Sequence, residues 1–381
     1  MTQKIFTRDF VFALFAQFAS VSIVQILIPT LPIYLSREGA TEAEIGVLIG
    51  IFFFSSLVLR PFVGKALLKY HEKHFMIAGA VLYGLTSIAH LAAPPFWPFL
   101  IVRFFQGIAF AFFQTASITF IVTISPEAHR GRSISYWYLA MNVSGALSPS
   151  LGIFLINHFS FTLLFQVCFG LSLCSLFFTN KLTRRQIAPL QDSSLHDGFF
   201  LSRKAILPSI INFLSYFMWG ALAAFFPLYA INHGVANPGL FFTVIGMTLI
   251  LGRALGGRVL DLYSREKIIL PCLIAYILSM ILLAFSKTQP MFILVAVIWG
   301  MGHAFLPPSV VLYTLDRVGC SPGLAMGTLT AIMDLGMSLG PVIMGIVLHA
   351  ASYPIMFLCL ALTCVVNLNY FYFIVRKRGT L

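Results

Sequence analysis

The chain has 381 residues, of which 59% are hydrophobic, 15% aromatic and only 9% charged, and its formal net charge is +12. An apolar share this far above the ~45–50% of soluble proteins excludes a water-soluble enzyme or binding domain and predicts an integral membrane protein. The positive charge is then explained by basic cytoplasmic flanks of membrane spans lying against anionic lipid, and not by nucleic acid.

Apolar runs long enough to cross a ~30 Å hydrocarbon core, at 1.5 Å per helical residue, recur along the whole chain. Twelve are expected, at about 9–35, 43–68, 74–93, 97–124, 132–157, 160–180, 206–233, 239–262, 267–286, 290–314, 322–348 and 353–376. They must be helices, because an unpaired backbone group in lipid costs several kcal/mol and the runs lack the alternation of barrel strands. The first run begins at Asp9 and carries Gln17, Ser20, Ser22 and Gln25. It is too long for the apolar core of a cleaved signal and has no small-residue cleavage site, so it is expected to remain as a span. The second ends in "RPFVGKALLKYHEKH", and the third holds His90 near its outer end, a place that predicts an interfacial residue.

Arg103, Gln106, Gly107 and Gln114 follow in the fourth span; Tyr138, Asn142 and the stretch "GALSPSLG" with Pro149 lie in the fifth. The polar segment 181–205 reads as a cytoplasmic linker between a bundle over 1–180 and a second over 206–381. Asn212, Tyr216 and Trp219 belong to the seventh span, and the eighth ends in the charged stretch "RALGGRVLDLYSREK". His303 precedes Pro307 and Pro308 in the tenth span, where the two prolines predict a bend. The eleventh span carries Asp334, Gly336, Gly340, Pro341 and Gly345. With the N-terminus inside, the basic residues collect at the inner ends of the spans and only Arg37 and Lys287 fall outside, so both termini are expected in the cytoplasm. The six cysteines are scattered with no C-x-x-C pair, which argues against a disulfide framework or a zinc site.

The two halves repeat at a shift of 192 to 195 residues: Pro32 and Tyr34 with Pro227 and Tyr229, Gly39 with Gly234, Gly107 with Gly300, Pro149 with Pro341. The charged stretches obey the same shift, since Arg60, Gly64 and Leu68 stand where Arg253, Gly257 and Asp261 stand in the second half. A duplicated six-helix unit suits alternating access between two rigid halves.

This pattern resembles the major facilitator superfamily over essentially the whole chain. Gly257-Arg-Val-Leu-Asp261 followed by Arg265 matches that family's loop signature between the eighth and ninth spans, with a degenerate twin at Gly64. Arg103-Phe-Phe-Gln106-Gly107 matches its Arg-x-x-Gln-Gly motif. Pro149 in the fifth span belongs to a weakened Gly-Pro antiporter motif, because Ser148 precedes it, whereas Gly340-Pro341 is the fuller version. Together these look like the twelve-helix drug:proton antiporter branch. The resemblance implies an all-helical fold of two pseudo-symmetric six-helix bundles, a monomer in the bacterial inner membrane, and a pore lined by the first, fourth, fifth, seventh, tenth and eleventh spans. On those spans the cavity candidates are Gln25, Gln114, Tyr138, Asn142, Asn212, Tyr216, Trp219 and His303.

Ionisable groups at depth are the sharpest functional signal, because a central charge costs at least ~2.5–3.5 kcal/mol to insert. Arg103 lies about 9 Å into its span, and His303 and Asp334 lie ~18–20 Å into theirs, near the midplane. A carboxylate and an imidazole at one depth can bind and release a proton, which makes Asp334, His303 and Arg103 the coupling candidates. Structural alternatives stay open: Arg103 as a strut on backbone carbonyls, His303 as a packing residue, and the glycines as close-approach points only. The loop carboxylate of Asp261 can face a helix N-terminus and bias a cytoplasmic gate, or the basic stretch can be a topology signal alone.

No nucleophile and base pair, metal cluster or nucleotide loop is visible, so no enzyme activity, metal or cofactor is expected. The expectation is a secondary transporter that couples efflux of a small amphipathic molecule to protons. A facilitator or importer of a sugar, organic acid or metallophore on the same fold is the alternative.

Overall fold

A computed structural model describes residues 6–67, 69–94, 96–126, 129–183, 203–256, 262–318 and 322–376. Among them twelve α-helices follow one another: α1 Arg8–Arg37, α2 Glu42–Ala66, α3 Glu72–Ala92, α4 Trp97–Ile124, α5 Arg130–His158, α6 Phe161–Asn180, α7 Arg203–Asn232, α8 Gly239–Gly256, α9 Arg265–Phe285, α10 Gln289–Val318, α11 Pro322–Ala350 and α12 Tyr353–Tyr370. A π-helical turn, Phe371–Val375, continues α12. Eleven of the helices are long and apolar enough to span a membrane, and the described part of α8 is a shorter apolar helix. The chain is therefore a multi-pass membrane protein built of helices. α10 runs through Pro307 and Pro308 as one helix.

Local sequence accounts for several helix ends. The start of α2 is a reciprocal capping box, in which Thr41 Oγ1 accepts from the Glu44 N–H at 3.3 Å and Glu44 Oε2 accepts from the Thr41 N–H at 2.8 Å. Ser160 caps α6 by accepting from the Leu163 N–H at 3.2 Å. Asp9, in the first turn of α1, accepts from the backbone and hydroxyl of Thr183. α1 and α7 end in the same way: Gly39 and Gly234 adopt φ of +84° and +77°, and the next residue's N–H reaches back to Leu35 and Ala230 respectively. A left-handed residue at this point closes a helix without the steric penalty of a Cβ, which is why glycine recurs at both repeat positions.

Contacts divide the chain into two compact units, Met1–Tyr34 with Ile51–Asp192, and Leu35–Gly50 with Ser193–Leu381. Inside each, the repeat reproduces individual interactions. Ser175 on α6 donates to the Ala16 carbonyl of α1 at 3.1 Å, and Asn367 on α12 donates to the Ile211 carbonyl of α7 at 3.1 Å. Tyr34 packs against Phe99, Phe161 and Phe165, while Tyr229 packs against Phe292, Tyr353 and Phe357 at the corresponding positions. Gly107 lets α4 close on α2 at Phe52 and Ser55, and Gly300 lets α10 close on α8 at Thr248. Small residues do this work because lipid supplies no hydrophobic drive for helix association, leaving close packing to hold helices together.

In the second unit Gly336 and Gly340 bring α11 onto the backbone of α7 at Phe213 and Phe217. The start of α2 belongs to the same unit, where Gly46 and Gly50 lie against Pro341 and Ser338 of α11 and His349 meets Glu42 at 3.3 Å.

Candidate functional site

In the first unit the polar residues of α4 form one stripe. At 3.6 residues per turn Arg103, Gln106, Gln114 and Ser117 fall within an arc of about 80°, and all four are buried. Each finds a partner inside the unit. Gln17 of α1 donates to Gln114 at 2.8 Å, and the Trp137 indole of α5 donates to Ser117 at 2.9 Å. Arg103 donates to Gln106, lies 4.6 Å over the Phe52 ring, and is near enough to Tyr83 and His90 for its charge to act on both. A guanidinium so deep persists only with such partners, since its planar face can stack while its edge donates. Gln114, one of the cavity candidates, is 3% exposed and tied to α1. His90 departs from the interfacial expectation too: it is 1% exposed, donates from Nδ1 to the Thr86 carbonyl at 2.6 Å, and is clamped by Phe165 and Phe99.

The second unit assembles a cluster of rings from three helices. Trp299 of α10 stacks with Trp219 of α7 at 4.4 Å and with Tyr276 of α9 at 5.5 Å, the planes within 22° and 9°. His303, one turn on from Trp299, stacks on it at 4.5 Å, meets Tyr216 edge-on at 5.7 Å, and shares a hydrogen bond between Nδ1 and the Tyr276 hydroxyl at 2.5 Å. Trp299 and Tyr276 are fully buried, whereas Tyr216, Trp219 and His303 are part-exposed. Arg253, from the charged end of α8, acts electrostatically on Tyr276 and His303. Asp334 is 1% exposed, in the middle of α11, a helix that packs on both α7 and α10.

Of the predicted cavity residues, then, Tyr216, Trp219 and His303 come together. Asn212 lies on α7 at 5% exposure, with its Oδ1 buried. In the first unit Gln25 faces α5 at Gly145, Asn142 is half-buried, and Tyr138 is 39% exposed beside Trp137. Of the motif residues, Gln106, Gly107, Pro149, Gly340 and Pro341 are buried. Gly64 is exposed, and a Cβ there would meet nothing within 4 Å, so no close approach explains its glycine. Arg265 pairs with Asp316 at 3.6 Å, and its neighbour Glu266 with Arg376 at 2.9 Å, bracing α9 against the ends of α10 and α12. Gly257, Asp261 and Leu68 lie outside the described residues.

Tyr276, Trp299 and Gln17 were not picked out as site residues from sequence. One signal for Tyr276 was present, since Tyr83 stands 193 residues before it, but tyrosines are common in membrane spans and the match carries weight only once both prove buried.

The family model for the Major Facilitator Superfamily matches residues 13–317 and again 208–380. The staphylopine export protein of Staphylococcus aureus is 23% identical over 352 residues, covering 86% of this chain and 86% of its own. The quinolone resistance protein NorA of Staphylococcus aureus is 23% identical over 332 residues, covering 84% of this chain and 85% of its own. Among solved structures, the nucleoside transporter NupG has a TM-score of 0.73 at 15% identity, over 95% of this chain and 98% of that one, a likeness of fold alone.

Proposed function

The chain belongs to the major facilitator superfamily of membrane transporters, and from that membership we propose that it is a proton-coupled exporter of a small amphipathic molecule. Its work is alternating access of two six-helix bundles, over 1–180 and 206–381, joined by the 181–205 linker. It acts as a monomer in a bacterial inner membrane with both termini in the cytoplasm, as the distribution of Lys and Arg supports. The Asp261 loop acts as a cytoplasmic gate.

The observation that carries the coupling is Asp334, a carboxylate 1% exposed in the middle of a membrane helix. An ionisable group at that depth is costly and is kept where it works. Efflux as the direction is supported by the printed names of two relatives, one an export protein and one a resistance protein. The solute class is supported by the aromatic wall of Tyr216 and Trp219 with few polar groups beside it.

The test is Asp334→Asn in proteoliposomes, which keeps the size of the side chain and removes its titration. Uphill transport driven by a pH gradient should be abolished while exchange of solute down its own gradient continues. Retained uphill transport per folded molecule, with a lowered unfolding temperature, assigns Asp334 to structure and leaves a facilitator.

A further inference from the structure

The repeat allows the halves to be compared position by position, and one set of positions differs in its chemistry. Tyr83 and Tyr276 are related by 193 residues and both are fully buried. Arg60 and Arg253 are related by the same shift, and each acts electrostatically on its own unit's tyrosine. The third pair is Phe110 and His303. In the first unit the Arg60 guanidinium lies 5.4 Å from the centre of the Phe110 ring; in the second, Arg253 acts on His303. Tyrosine and arginine therefore recur in both halves, while the ring beside them is inert in one and titratable in the other.

The groups facing His303 are named by the helices that pack on α10. α7 contributes Tyr216 and Trp219, α8 Arg253, and α9 the Tyr276 hydroxyl; α11 carries Asp334. The indoles of Trp299 and Trp219 lie near-parallel to the imidazole, at 4.5 and 6.2 Å. Such faces attract a cation, so the charged ring is stabilised where it stands.

We propose that Tyr276 is a positioning residue, which accepts a hydrogen bond from Nδ1–H of His303 and thereby leaves Nε2 as the nitrogen that takes up and releases a proton. On uptake the Nε2 lone pair forms the new N–H bond and the ring becomes imidazolium; on release that bond breaks and the pair returns to nitrogen. Tyr276 keeps its own proton throughout. The Nδ1–H···Oη bond is present in both states and is the stronger in the charged one. The inference deepens the proton-coupled reading and rests on it only for the use of the proton, because the titration of the ring is observable without any solute.

The experiment uses the purified full-length protein carrying Trp97→Phe and Trp137→Phe, so that emission comes from Trp219 and Trp299 alone. Emission should change with pH as the stacked imidazole gains charge. The change should vanish in His303→Phe, the residue that the first repeat carries at this position. In Tyr276→Phe the midpoint should move about one pH unit lower, the effect of losing one charge-assisted acceptor. Histidine-selective nitrogen NMR checks the tautomer directly: the signal that is lost in His303→Phe should be that of an Nδ1–H ring and should titrate at Nε2, which separates it from His90, His158 and His233, whose Nδ1 atoms also face carbonyl oxygens. Emission independent of pH, an unmoved midpoint in Tyr276→Phe, or an Nε2–H tautomer overturns the proposal. A titrating His303 together with Asp334→Asn that still transports uphill sinks the coupling role of Asp334 and keeps this one. An inert His303 in a protein driven by pH does the reverse.

Discussion

The same substitution, glycine to alanine in a helix interior, should change stability in opposite directions at different positions of this fold. A Cβ added at Gly340 would lie 2.1 Å from the Phe217 carbonyl oxygen, and one at Gly107 would lie 2.1 Å from that of Phe52. Because real Cβ contacts essentially never fall under 3.0 Å, each helix pair must part by about 0.9 Å, the difference between 3.0 and 2.1. The obstacle is backbone, so no side-chain rotation relieves it. Overpacking of this kind costs about 1–3 kcal/mol, against about 0.8–1.0 kcal/mol gained from alanine's better helix propensity. A net loss of up to about 2 kcal/mol is expected, which at the unfolding entropy of a 381-residue chain lowers the unfolding temperature by up to about 3 °C.

At Gly170 in α6 and Gly327 in α11 the added Cβ would meet nothing within 4 Å. Only the propensity gain remains there, and the unfolding temperature should rise by about 1 °C. Unfolding of detergent-purified protein can be followed with a thiol-reactive dye, since Cys168, Cys272 and Cys364 are buried until the helices separate. If Gly340→Ala and Gly327→Ala shift the temperature in the same direction, the close-approach reasoning fails.

Two further outcomes follow from the first unit. Gln17→Leu alone should destabilise by about 1–3 kcal/mol, because it strands the buried Gln114 amide, whereas Gln17→Leu with Gln114→Leu should recover most of the loss; a double-mutant cycle of thermal unfolding without coupling between the two would refute the pair's importance. Arg103→Lys keeps the charge but loses the planar stack on Phe52 and the directed bond to Gln106, so about 2–4 kcal/mol of stability should go with it. An unfolding temperature equal to that of the unsubstituted protein would show that a point charge suffices there.

The span count and the duplication were legible without coordinates. Hydropathy and a fixed rise per residue determine where a helix can cross lipid and how deep each position lies, and both are properties of the chain read in order. The repeat adds more, because equal spacings predict equal environments: Gly39 and Gly234 share a left-handed turn, and Tyr34 and Tyr229 share an aromatic nest. Which way each helix faces was decided only by tertiary packing. A membrane helix is apolar on the side toward lipid and on the side toward its neighbours, so the amphipathic pattern that marks the inside of a soluble helix is missing. Gln114 could therefore be named as a polar residue of its span while its partner, Gln17 of α1, stayed unknown. His303 could be ranked as titratable while its partner remained unknown, because Tyr276 lies 27 residues away on another helix and only the packing of α9 on α10 brings its hydroxyl to the imidazole.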